Sequence, residues 1–180
     1  MADPISLINR IFISICCFFF FLFSLEKIVC YHGSWSAHRQ NLGKFSLETD
    51  MDPLLCTHLI YAFCGLQQTG ELKINDPPLA LDDDNKRRGN YQIFNNLKLK
   101  NPSLKTLLSV GGWTEGSHNF SIVAADPTKR ATFLQSSLEL LHKYNFNGLD
   151  INWEYPNERH GLKNNDRENF IIWLKELKEG

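Results

Sequence analysis

Apolar and polar positions along this chain repeat with two periods, one near two residues and one near three and a half. Residues 27–31 (KIVCY), 57–63 (THLIYAF), 105–110 (KTLLSV) and 146–153 (FNGLDINW) are short runs rich in β-branched and aromatic side chains. Gly65 bounds the second, Gly111-Gly112 the third and Pro156 the fourth, so each run is predicted to be a strand. Helical spacing fills the gaps. Residues 91–100 carry Ile93, Phe94, Leu97 and Leu99 before Asn101-Pro102 stops them. Asp126-Pro127 has the form of an N-cap followed by proline at the first helical position, and Phe133, Leu134, Leu138, Leu141 and Tyr144 follow at intervals of three and four. Asp166 is predicted to cap a last helix through Phe170, Ile171, Leu174 and Leu177, while residues 47–55 form a short helix or a loop.

Strand and helix in alternation imply an α/β fold with a parallel sheet and crossover helices. Strand starts at 27, 57, 105 and 146 use up the 180 residues in four units. A closed eight-stranded barrel takes about 250 residues. Periodicity therefore leaves two architectures open, a small four-stranded α/β domain or half of a barrel.

Residues 1–25 differ from the rest. Arg10 precedes IFISICCFFFFLFSL, an apolar run broken only by Ser14 and Ser24. The run is short of the ~20 residues of a spanning helix and reads as a signal peptide, with an uncleaved signal anchor as the alternative. The expected product is secreted and extracellular, free of the membrane once the signal is removed. Cys16 and Cys17 would leave with it, and Cys30, Cys56 and Cys64 remain. Cys30 falls in the first strand-like run and Cys56 immediately before the second, and a bridge between two neighbouring strands there is the natural pairing. Cys64 is then left over, as a small buried residue or as a partner for a cysteine beyond residue 180. The sequon Asn119-Phe120-Ser121 agrees with export as a glycosylation site. Net charge is −1, and the basic cluster Lys86-Arg87-Arg88 directly follows Asp82-Asp83-Asp84-Asn85. Opposite charges packed that closely read as a solvated loop, and nucleic acid is excluded as a partner.

The chemistry sits in NGLDINWE, residues 147–154. With a period of two, Gly148, Asp150, Asn152 and Glu154 share one face of the strand, and Leu149, Ile151 and Trp153 share the other. Barrel and open α/β folds place active sites at the C-terminal ends of strands, which is where Glu154 stands. Two acids and an amide in a row on a buried face are costly unless they bond one another or act on a ligand. The plainer alternative is an edge strand with one wet face. Trp153, Tyr155 and the Pro156 stop make it a poor edge.

YNFNGLDINWEYP resembles the signature of family 18 chitinases, which usually has aspartate at positions 147 and 152. KIVCYHGSW followed by CTHLIYAF resembles the family's first two strands with their joining disulfide, and KTLLSVGGW resembles its third-strand motif. DPTKRATFLQSSLELLHKY and NDRENFIIWLKELKE are similar to the helices flanking the fourth strand. Together the likeness covers residues 27–180 and implies a (β/α)8 TIM barrel with its first four units present as residues 26–180. The segment 75–100 resembles arthropod members.

The resemblance implies hydrolysis of β-1,4-linked N-acetylglucosamine polymers by substrate-assisted retention, one of the exceptions to the two-carboxylate scheme. Glu154 would protonate the glycosidic oxygen, and the acetamido oxygen of the substrate would attack the anomeric carbon to give an oxazolinium. Asp150 would pair with residue 152, which orients the acetamido group. Asn152 keeps an acceptor oxygen there but brings no charge, so weak hydrolysis with retained binding is expected. Trp35 and Trp113 are the expected sugar platforms at strand exits, with Tyr31, Phe63 and Tyr155 at the same mouth and Gly111 and Gly112 allowing close backbone approach. Core packing is the alternative for each aromatic, most of all for Phe63, and a turn for the glycine pair. The family pattern places non-proline cis bonds at Ala62–Phe63 and Glu154–Tyr155. The six histidines, His32, His38, His58, His118, His142 and His160, lack metal-ligand spacing, so neither metal nor cofactor is expected. Partners are chitin or chitooligosaccharides and the missing C-terminal half of the barrel, without which the 180 residues are expected to be inactive. A chitin-binding lectin is the alternative function.

Overall fold

The computed structural model describes residues 26–82, 88–161 and 165–180. The expected signal peptide at 1–25 and most of the acidic-basic run at 82–88 lie outside the described residues. In chain order the elements are β1 (Val29–Gly33), α1 (Leu47–Asp50), β2 (His58–Leu66), β3 (Leu72–Lys73), α2 (Pro77–Ala80) and α3 (Asn90–Asn96). There follow β4 (Lys105–Gly111), α4 (His118–Ala125), α5 (Pro127–Tyr144), β5 (Gly148–Asn152) and α6 (Asp166–Glu179). Strands pair in the order β1-β2-β4-β5, all parallel, and β3 returns antiparallel against the end of β2.

All four predicted strands are present, with ends shifted by at most three residues. The pattern missed the two-residue β3, the four-residue α2 and the helix α4, whose buried Phe120, Ser121, Val123 and Ala124 mix polar and apolar types. The helix expected over 91–100 ends at Asn96 and continues as a 3-10 turn, Leu97–Leu99. Of residues 47–55, only Leu47–Asp50 is helical.

Side chains on the helix-facing side of the sheet make the core. Tyr61 meets Tyr91 and Phe94 of α3 edge to face at 5.0 and 5.4 Å, and Tyr91 meets Tyr144 and Phe146 at 5.3 and 5.5 Å. Trp153 stacks on Phe120 at 5.2 Å, and Trp173 of α6 meets Phe133 of α5 at 4.7 Å. Trp173 is fully buried, and its truncation to alanine would cost about 3–5 kcal/mol. On α5 the buried stripe runs Arg130, Phe133, Ser137 and Tyr144, so the predicted core residue Leu138 is instead exposed. Arg130 closes α5 onto α6 with a two-pronged contact to Glu176 at 2.7 and 2.8 Å.

The start of α5 follows the sequence reading, and its end was not marked there. Asp126 accepts from the amides of Thr128 and Lys129, and Asn145 ends the helix at φ 61°. Asp166, expected as a cap, is instead the first residue of α6. It is 1% exposed and accepts from the Ser121 hydroxyl at 2.7 Å and the Asn157 amide at 3.0 Å. Tertiary donors take up one oxygen of the carboxylate, and it braces the loop after β5. Cys30 and Cys56 are joined, with Cα atoms 6.1 Å apart. Cys64 is buried with its thiol pushed up by desolvation, and it donates to the Ser109 carbonyl at 3.4 Å.

Candidate functional site

The C-terminal ends of the four parallel strands open on one side of the molecule, and the predicted side chains gather there in two groups. The first is a column of polar residues on the open face of the sheet. Asp150, in the middle of β5, accepts through one oxygen from the Ser109 hydroxyl at 2.6 Å and from the Tyr31 hydroxyl at 3.0 Å. Tyr31 lies on β1 and Asp150 on β5, with β2 and β4 between them. On a flat sheet those strands would be roughly 14 Å apart, and parallel side chains could not meet. The bond therefore records a sheet already curled as a barrel wall. Burial first, then the bond to Asp150 and its charge, push the Tyr31 phenol up from 10.0 to about 12.

Asn152 ends β5, and Glu154 stands two residues beyond, before a cis bond to Tyr155. Asp150, Asn152 and Glu154 are half-buried rather than sealed. Their expected enclosure does not arise within these residues, so desolvation is partial. Asn147 stays at the strand's foot, where its side-chain oxygen accepts from the Thr106 amide at 2.9 Å.

The second group is an aromatic cleft of about 890 Å³ lined by Trp35, Phe63, Gly111 and Trp113, with Lys73, Asn75, Asp76 and Glu115 on its polar wall. Trp35 comes from the 3-10 turn Ser34–His38 that follows β1. Its ring stacks on Phe63 at 5.9 Å and 17°. Phe63 owes its direction to an irregularity in β2. Ala62 pairs with Ser109 and Cys64 with Val110, so Phe63 is the extra residue of a bulge. Bulges re-aim side chains in this way. The Ala62–Phe63 bond is cis. Phe63 is thus the support of Trp35, between the two roles the sequence left open. Trp35 and Trp113 are 50% and 63% exposed, against the usual fate of tryptophan in a core.

Gly111 and Gly112 join the two groups, and contacts within the protein already call for glycine at both positions. Their φ angles are 110° and 83°. A Cβ on Gly111 would stand 2.3 Å from the Asn152 carbonyl oxygen, and one on Gly112 would stand 2.7 Å from the Phe63 ring. The protein's own backbone and Phe63 occupy that space, and the Gly112 amide donates to Asn152 at 2.9 Å. Tyr31, Asp150, Asn152, Glu154 and Tyr155 do not line the aromatic cleft itself.

Three contributors escaped the sequence reading. Ser109 was legible, since it lies two residues before Gly111 on the same alternating face. Ser117, which donates to the Tyr155 carbonyl at 2.8 Å, and Arg159, which touches Trp113, had no local signal. Asn119 holds a structural place. Its amide donates to the Leu66 carbonyl at 2.8 Å and to Glu115 at 3.1 Å, while the sequon hydroxyl of Ser121 is buried on Asp166.

Comparison with known proteins agrees with this arrangement. The family model described as glycosyl hydrolases family 18 matches residues 27–180. Probable chitinase 2 of Drosophila melanogaster is 42% identical over 155 residues, which are 86% of this chain and 31% of the relative. The Group IV chitinase of Ostrinia furnacalis superposes with a TM-score of 0.78 at 49% identity, over 86% of this chain and 40% of that one. Human YKL-39, described as a pseudo-chitinase with retained chitooligosaccharide binding properties, gives a TM-score of 0.70 at 38% identity over 85% of this chain and 38% of its own. The chain thus spans about a third of the length of the sequence relative it matches. Four parallel strands curled by a Tyr31–Asp150 bond, an acid two residues past the last of them and a family match over 27–180 lead to one assignment: the chain belongs to glycosyl hydrolases family 18, with the partial TIM barrel of that family.

Proposed function

We propose that this chain is the N-terminal half of the barrel of a secreted chitinase-like hydrolase, acting on β-1,4-linked N-acetylglucosamine polymers with Glu154 as proton donor. The observation that carries the reading is the polar column. Asp150 is held from two sides by Tyr31 and Ser109, and Glu154 follows at the strand's C-terminal end.

Glu154 would protonate the glycosidic oxygen as the substrate's acetamido oxygen closes on the anomeric carbon, then take a proton from the incoming water. Asn152 would accept the acetamido N–H through its side-chain oxygen. Positive charge develops on the oxazolinium ring, and Asn152 offers a dipole where a carboxylate would offer a charge. The loss of one aimed electrostatic contact typically costs about 10²–10³ in rate, and attenuated turnover follows. Residues 1–25 would serve as the signal peptide and leave residues 26–180 extracellular.

Asn152 also supports a second reading, a chitooligosaccharide-binding protein without turnover, the behaviour attributed to YKL-39. Incubating the full natural gene product with chitotetraose, alongside Glu154→Gln, tests the first. Cleavage that Glu154→Gln abolishes supports the hydrolase. Binding without cleavage supports the second reading, and cleavage untouched by Glu154→Gln overturns the role given to that residue. A secreted product whose first residue lies near 26 supports the signal peptide.

A further inference from the structure

Arg159 joins the loop that carries Trp113 to the loop that carries Glu154. Its guanidinium lies over the Trp113 ring, 3.5 Å from the centroid. The same group donates from Nη1 to the carbonyl of Trp113 at 2.8 Å and to the carbonyl of Glu154 at 3.3 Å. Backbone geometry brings it there. Asn157, Arg159 and His160 have φ angles of 68°, 50° and 66°, a left-handed sequence that L-residues seldom adopt without tertiary support. That support is on both sides. The Asn157 amide is held by buried Asp166, and the Arg159 carbonyl accepts from the Ser117 amide at 3.4 Å.

With a cation on one face, the Trp113 indole has a single face left for a ligand. An indole 63% exposed would otherwise sample several rotamers, and fixing one on binding would weaken affinity. Only a planar, multiply donating group can stack and bond two carbonyls together, which lysine does poorly. We propose that Arg159 is a positioning residue. It holds the Trp113 ring so that its free face meets an N-acetylglucosamine unit, and couples that orientation to the backbone at Glu154. This rests on the reading of Trp113 as a sugar platform.

The test measures chitotetraose affinity by calorimetry in the full chain and in Arg159→Ala, Arg159→Lys and Trp113→Ala, with circular dichroism melts to confirm folding. Emission of Trp113 is isolated by subtracting spectra of matched Trp113→Phe forms. Arg159→Ala is expected to weaken binding about tenfold and to shift Trp113 emission to the red. Arg159→Lys should recover part of both. Should the alanine variant fail to fold, the lysine variant carries the test, with wild-type affinity and emission overturning the proposal. If Arg159→Ala binds as the wild type while Trp113→Ala does not, the platform stands and the role of Arg159 falls. If Trp113→Ala also binds as the wild type, the platform reading itself fails and takes the proposal with it.

Discussion

The hydroxyl of Tyr31 reaches the carboxylate of Asp150 at 3.0 Å across the full width of the sheet, from one outer strand to the other. Ser109 meets the same oxygen at 2.6 Å, so the middle of the polar column is fixed before any ligand arrives. Raised phenols have a consequence at alkaline pH. The Tyr31 and Tyr61 hydroxyls are both pushed up to about 12, by burial first in each case. The folded state keeps protons that the unfolded chain releases near pH 10, so the stability these groups contribute is whole below pH 10 and falls away as pH rises towards 12. Phenolate absorbance at 295 nm should show Tyr31 and Tyr61 titrating late beside Tyr91, whose phenol burial also pushes up, and Tyr31→Phe should remove one of these late groups. Both tyrosines titrating near pH 10 would contradict the bond.

Asn152→Asp restores a charge at the end of β5. In the full natural gene product, turnover of chitotetraose is expected to rise about 10²–10³-fold. Equal inactivity of both forms would favour the binding protein over the attenuated hydrolase.

Gly111 and Gly112 combine positive φ with occupied space. Gly112→Ala is expected to lower stability by about 1–3 kcal/mol from backbone strain and contact with the Phe63 ring. Gly111→Ala should do more, because its Cβ meets the immobile Asn152 carbonyl. A melting temperature unchanged in either variant would mean that the strand exits adapt freely.

His32 is 4% exposed and packed among Phe45, Tyr61 and Phe94. Burial holds its imidazole down at about 4, and among the described residues its Nε2 has no hydrogen-bond partner. The unfolded chain takes up a proton below pH 6.5 that the folded state refuses, so stability drops as pH falls from 6.5 towards 4, by about 3 kcal/mol at most. His32→Phe should flatten melting temperature over that window and cost little at pH 7. An equally steep profile in the variant would place the titration elsewhere.

The Cys30–Cys56 bridge closes a segment with a sequence separation of 26. Replacing both by serine should destabilise by about 3 kcal/mol, chiefly through the unfolded chain. Unfolding in urea with and without reductant measures it.

Strands, the long helix α5 and the alternation of Asp150 with Asn152 and Glu154 could be read from order along the chain, because each depends on residues two to four places apart. The cap at Asp126 and the half-cystines at strand starts belong to the same class. Helix α4 was missed because its inward face mixes Ser121 with Phe120 and Val123, and the polar member is satisfied by Asp166, 45 positions away. Leu138 and Ser137 exchanged places for a related reason: periodicity marks a stripe, but the neighbouring helix chooses which edge of it is covered.

At the site, residue types and their strand-end positions were written in the motif, whereas their mutual arrangement was not. That Ser109 and Tyr31 converge on a single oxygen, that Phe63 turns under Trp35, that Asn152 and Phe63 crowd the glycine pair, and that Arg159 covers Trp113 all arise where segments far apart in the chain are pressed together. Local pattern carries the period of the backbone. Distances between strands come from the curvature of the sheet, which no stretch of a few residues contains.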